Sequence, residues 1–390
     1  MQLGEADRLL LCPFCRTKLY LVADNHFRYC IPAPETNSRE ILYLPYWRLK
    51  GMSFALTGRE ITNRFFDTNH LALDVQGVPF SLGLRPQVFR LRFASPEMEG
   101  RFLAPGLDAR AALQFLSATA QTGLPQVFIG EMISLIYSPA YLENDVLYDS
   151  LLQRPLGSLN AEGRERLQAL CRPPDWQVRF ISTLCPQCGW DLQGEREALV
   201  LICRNCSTAW TCPATSMERV PFSVTAADED SPHCYLPFWR MKARIEGADL
   251  NSYADLVRLG NLPKAVTAAM EERPLYFWSP AFKINPALFL RWTRQMTACQ
   301  PAGEAVDHLP AADLHPVTLP ASEAGESIII TLAGLIADKR RWLPLLPRLR
   351  ITLEESLLAY HPFTIGSSEL IHTEMLLTIN KNALAFGRQL

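Results

Sequence analysis

At 390 residues the chain exceeds the size at which a single core usually stops growing, so two or three domains are expected. Its 38 Lys and Arg against 40 Asp and Glu give a net charge of −2, which excludes a chain-wide attraction to nucleic acid, since such binding rests on neutralising phosphates. The 48% apolar content is that of an ordinary globular protein and excludes neither enzymes nor binding modules.

In chain order, "MQLGEADRLLLCPFC" sets acidic residues before a short apolar run, unlike the layout of a secretory signal. The longest apolar run, Ile328–Ala337, is half the length needed to cross a bilayer, so a soluble, cytoplasmic chain is expected. Eleven cysteines, several in Cys-x-x-Cys pairs, then read as metal ligands rather than disulfides. Short β-rich runs flank the cysteines: Asp7–Leu11, Leu19–Val22 and His26–Cys30 early, Val178–Leu184 and Ala198–Cys203 later. "YLPYWRLKG" from Tyr43 reads as a strand with an aromatic on each face, and proline at 45 predicts an edge strand or a bulge. Helices are expected over Asp108–Ala120, in the charged connector Asn160–Leu170, over Ser252–Gly260 and Leu262–Glu272, and from Pro286 with Asn285 as its cap. "TLEESLLAY" from Thr352 also reads as helical, with Glu354 and Glu355 on a solvated face.

Self-comparison organises these pieces. Cys12, Cys15 and Cys30 match Cys185, Cys188 and Cys203 at a constant offset of 173. "YLPFWRMKA" from Tyr235 repeats the aromatic phrase at an offset of 192, which implies an insertion of about 19 residues in the second copy. "RPQVFRLR" from Arg85 matches "NPALFLRW" from Asn285 at 200, and the stretch from Leu135 matches that from Leu358 at 223. The expected layout is a first copy over 1–160, a connector over 161–176 and a second copy over 177–297. A Pro/Ala-rich linker over 298–326 and the remainder of the second copy over 327–390 complete it. The expected class is α+β, each half a cysteine knuckle fused to a small mixed sheet with short helices.

Cys185, Cys188, Cys203 and Cys206 form C-x2-C-x14-C-x2-C. Two residues between thiolates let one tight turn present both sulfurs to one ion, and a hairpin brings a second such turn opposite. Gly189 suits the positive backbone angle of the first turn. The segment "CPQCGWDL…CRNCSTAW" resembles the zinc ribbon family over about 30 residues, departing from its commonest form in having Ser207 after the second pair. The resemblance implies a zinc ion and a ribbon element, without an activity. It also resembles rubredoxin, which holds iron in the same tetrahedron, but "CRNCS" departs from that family's second knuckle, so zinc is favoured over iron. In the first copy Cys12, Cys15 and Cys30 are candidate ligands of a second ion, Ala33 standing where a fourth cysteine is expected and His26 a substitute ligand. Cys171, Cys212, Cys234 and Cys299 have no partner spacing and read as small buried apolar groups.

No phosphate loop, dinucleotide fingerprint, nucleophile elbow or His-Glu-x-x-His helix is present. One basic cluster surrounds Arg340 and Arg341, with Arg348 and Arg350 beyond it. Trp47 and Trp239 in the repeated phrase, together with Arg340 and Arg341, are candidates for an interaction surface. These features favour a non-catalytic zinc scaffold or adaptor with a protein partner and one or two ions. The alternatives are a nucleic-acid-binding ribbon factor, using Arg204, Asn205 and the basic cluster, and an accessory subunit of a redox or other enzyme complex. Peripheral membrane contact is not expected.

Overall fold

The computed structural model describes residues 5–12, 17–23, 25–34, 39–83, 91–117, 126–173, 176–227, 231–301, 303–306 and 308–387. The first half runs β1 (Leu9–Leu11), β2 (Lys18–Ala23), β3 (Phe27–Cys30), β4 (Leu42–Thr57), β5 (Glu60–Leu71), β6 (Arg92–Phe93), β7 (Arg101–Phe102), α1 (Ala109–Ser117), β8 (Gln126–Glu143), β9 (Val146–Asp149), β10 (Arg154–Ser158) and α2 (Ala161–Leu170). The second runs β11 (Val178–Ser182), β12 (Val200–Cys203), β13 (Thr208–Thr211), β14 (Glu218–Val220), β15 (Phe222–Thr225), β16 (His233–Glu246), α3 (Tyr253–Gly260), α4 (Ala268–Glu272) and β17 (Phe277–Pro280). It continues with α5 (Pro286–Cys299), β18 (Ala305–Val306), β19 (Asp313–Leu314), α6 (Ala321–Leu335), α7 (Lys339–Trp342), β20 (Arg350–Ile365), β21 (Glu369–His372), β22 (Leu377–Asn380) and α8 (Lys381–Gly387). The molecule is thus mixed α and β, mostly sheet, with two sheet-rich halves. Each half holds an eight-stranded sheet, and two three-stranded sheets, β1-β2-β11 and β12-β13-β14, accompany them. No helix among the described residues is long and apolar enough to cross a membrane; the apolar run from Ile328 lies in α6 and is largely buried.

The two large sheets repeat one pairing register. β4 opposes β8 with Tyr43 facing Pro139, Pro45 facing Tyr137 and Trp47 facing Leu135. β16 opposes β20 with Tyr235 facing Pro362, Pro237 facing Tyr360 and Trp239 facing Leu358. Both pairs shift register directly after the same lysine, Lys50 in one and Lys242 in the other. Trp47 Nε1 donates to Leu107 O at 2.8 Å, and Trp239 Nε1 donates to Leu319 O at 2.8 Å.

The repeated phrase is central, and its register shifts after the lysine, so neither the edge position nor the bulge at the proline that its prolines predict is found. β4 is flanked on one side by β8 and on the other by β7 at Leu42–Tyr43 and β5 from Tyr46 onward. Pro45 falls where that second neighbour changes, and its carbonyl accepts from Ala72 N at 2.9 Å. N and O of one strand residue point to the same side, so the missing N–H faces the gap between two partners and no ladder bond is lost. Pro237 sits likewise between β19 and β17, its carbonyl accepting from Ala281 N at 3.0 Å. The alternation does place aromatics on both faces of β4. Leu44 and Tyr46 enter one buried cluster, while Tyr43, Trp47 and Leu49 enter another.

Several expectations need revision. "TLEESLLAY" is strand, not helix: pairing of Leu358 with Trp239 and Ala359 with Phe238 outweighs the helix preference of Leu, Glu and Ala. Glu354 is the extra residue of the bulge and reaches Lys242 at 3.8 Å and Arg244 at 3.9 Å. Within the Pro/Ala-rich stretch 298–326, β18 and β19 join the sheet and Val317 and Leu319 are core. The match at 85–90 lies outside the described residues. The helices α2, α3 and α5 form where expected, with Asn160, Ser252 and Asn285 as their side-chain caps.

The halves are joined by a shared core. Past the bulge, Met52, Phe54 and Leu56 of β4 and Ile129 of β8 leave their own half's clusters and enter that of the second half, where Phe54 lies 5.8 Å from Phe289 of α5. At the hairpin tip Lys339 Nζ donates to Arg59 O at 2.7 Å.

Candidate metal centre

The four cysteines of the second half converge. Cys185 Sγ lies 3.6 Å from Cys206 Sγ and Cys188 Sγ 3.5 Å from Cys203 Sγ, and the four sulfurs all fall within 4.8 Å of one another. An ideal tetrahedron with metal–sulfur bonds of about 2.3 Å has edges of about 3.8 Å, so the cluster fits one ion. The first turn is closed by Gly189 N donating to Cys185 O at 2.8 Å and Cys185 N to Trp190 O at 2.7 Å, with Gly189 at φ +74°. The second turn is the β12–β13 connection, where Ser207 takes up φ +49°, the left-handed conformation that glycine adopts most readily.

Thr208, one residue further on, is fully buried and orients the sulfurs. Its Oγ1 accepts from Trp210 Nε1 at 2.8 Å, and indole nitrogen is only a donor, which leaves the threonine's own proton for Cys206 Sγ at 3.1 Å. Without a cation the four thiols disagree. Burial works against ionising Cys185, yet the N–H groups of Cys188 and Gln187 bring it down to about 6. Cys206 is pushed up to about 12: the Thr208 hydroxyl favours its thiolate, but burial and the other three sulfurs outweigh it. A cation at the centre removes that conflict by letting all four ionise. Cys203 is 0% exposed and Cys188 is exposed, so the site lies at the edge of the ribbon with one side against protein.

The first half's cysteines are placed differently from the sequence alignment. β1 and β2 pair Leu9 with Tyr20 and Leu11 with Lys18, while β12 and β13 pair Val200 with Thr211 and Ile202 with Ala209. This common register sets Cys12 opposite Cys203 in the comparison, at an offset of 191. No insertion of 19 residues is needed. Cys12 lies at the end of β1, its N–H donating to Thr17 O at 2.9 Å; Cys15 lies outside the described residues. Cys30 is not the counterpart of Cys203. It lies on β3, where the parallel ladder to β8 gives it the place Val224 holds against β20. It is 0% exposed in a cluster with Tyr43, Phe102 and Tyr137, and burial pushes its thiol up to about 12, a setting that opposes the thiolate a ligand needs. Replacing Cys30 with alanine is therefore expected to lower unfolding free energy by about 1–3 kcal/mol in urea titration while bound metal per chain stays constant.

The remaining candidates divide. Trp47 is 7% exposed and Trp239 4%, so neither forms an interaction surface; both are core residues with satisfied indoles. Arg340 and Arg341 are exposed on α7. Arg204 is engaged with the carbonyls of Pro310 and Ala312, leaving it no free fork for a phosphate. His26 is edge-on to Trp47 at 5.4 Å. Thr208 and Trp210 were missed, although "CSTAW" places them directly after the second knuckle. Set against known proteins, the chain matches no family model, no curated protein and no solved structure.

Proposed function

We propose that this protein is a non-catalytic scaffold or adaptor that binds one zinc ion, is built from two copies of one ancestral unit, and joins another protein in a larger assembly. The closed cluster of four sulfurs supports this reading most strongly. Four thiolates complete a tetrahedron and leave no position for substrate or water, so an ion there organises structure. All-thiolate tetrahedra suit zinc and iron alike, and the ribbon hairpin favours zinc. The common register of the two large sheets, the repeated bulge and the paired indole bonds support the duplication.

The test combines metal analysis with recovery of a partner. Native protein should carry one zinc per chain. Its cobalt-substituted form should show tetrahedral thiolate absorption that cyanide and azide leave unchanged. Affinity purification after nuclease treatment should recover a defined protein in stoichiometric amount. Ligand-sensitive cobalt bands would point to an open, reactive site, a coloured iron preparation to electron transfer, and recovery lost with nuclease to nucleic-acid binding. A monomer that retains nothing rejects the adaptor.

A further inference from the structure

A cleft of about 430 Å3 opens where the halves meet, between β2, the middle of β8, the chain after β13, the segment after β17 and the start of α6. Its volume lies in the range of small-ligand sites, about 300–1,000 Å3. Two cations line it without a carboxylate in ion-pairing reach among the described residues: Lys283, whose ammonium makes no hydrogen bond there, and Arg8, whose guanidinium lies over the Phe27 ring at 4.5 Å. Lys283 is deeply enclosed, although part of it stays accessible through the cleft. Burial brings it down to about 8; Glu323 attracts it from a distance, and Arg8 and Lys50 act on it as like charges.

Three carboxylates, Glu131, Glu197 and Glu323, also line the cleft. Glu323 Oε2 accepts from Glu131 N at 3.0 Å, which ties it to the backbone of β8. Glu131 is pushed up to about 7 by burial and then by Glu323 and Glu326. Lys283 is attracted by Glu323 only from a distance and Arg8 makes no ion pair among the described residues, so an anion bound directly between them would give both a close partner. The same cleft offers the Phe27, Tyr20 and Ile133 surfaces to an organic body.

We propose that this cleft is a binding site for a small organic anion, its carboxylate or phosphate group held by Lys283 and Arg8 and its apolar part laid against Phe27. The site is separate from the metal centre and goes beyond the adaptor role.

Calorimetric titration of the full, metal-loaded chain with benzoate and with phenyl phosphate tests it, inorganic phosphate serving as the head group alone. One of the two aromatic anions should bind saturably at one site with Kd below about 1 mM, and the tighter of the two identifies the head group. Lys283→Met and Arg8→Gln should each weaken it at least about tenfold. Lys283→Met removes a buried charge and should keep the thermal transition; if it fails to fold, Arg8→Gln decides alone. The assignment is overturned if neither anion saturates, if affinity is the same in Arg8→Gln as in the parent chain, or if inorganic phosphate binds as tightly as both.

Discussion

Cys203→Ser is expected to empty the metal centre and unfold the ribbon, with elemental analysis falling from one ion per chain to none. Structural zinc in small ribbons contributes on the order of 10–16 kcal/mol of apparent folding free energy, comparable to the whole stability of an ordinary domain. One face of the ribbon's three short strands buries a modest cluster, Leu192, Ala198, Leu201 and Trp210 around the cysteines, while Val200, Ile202, Ala209 and Val220 join the main core. That cluster also contains Leu9, Tyr20 and Val22 from β1 and β2, so the loss should spread to the other half. Hydrogen exchange should accelerate over Val200–Thr211 and, to a smaller degree, over Leu9–Val22, while β16 and β20 keep their protection. Unchanged exchange in both segments would mean that packing alone maintains the ribbon.

Trp239→Ala should cost about 3–5 kcal/mol in urea unfolding, the usual penalty for emptying a buried aromatic site. The indole fills the core between β16 and the chain before α6, and its Nε1–H is the partner of Leu319 O. Trp239→Phe separates the two contributions: it retains most of the ring and leaves that carbonyl unpaired, for about 1–3 kcal/mol. Trp47→Ala should behave alike, through Leu107 O. A docking residue on an exposed face would show almost no change in stability, so the size of the effect separates the two roles.

The four-cysteine cluster is legible because all its sulfurs sit in one stretch of 22 residues with both pairs at ligand spacing. In the first half cysteine spacing and strand pairing disagree. Cys30 happens to stand 15 residues after Cys15, as Cys203 does after Cys188, yet only backbone register shows that it belongs to a different strand. The helix expected at "TLEESLLAY" failed for a related reason, since the aromatic partner that holds it extended lies more than a hundred residues away. Pro45 and Pro237 read as edge signals because a sequence cannot display a strand whose neighbour changes midway. Lys283, Arg8 and Glu131 carried no signal, being remote in sequence and brought together by the meeting of the halves.

β11 pairs with β2, Val178 opposite Ala23 and Ser182 opposite Leu19, although it leads straight into the first knuckle of the second half. A chain cut at the connector would therefore strip β2 of its outer neighbour and present Leu19–Ala23 as a bare edge, inviting intermolecular strand addition. Expressed alone, the leading portion should be prone to self-association unless Val178–Ser182 travels with it, and the residue at which to separate the two lies beyond the boundary that composition suggests.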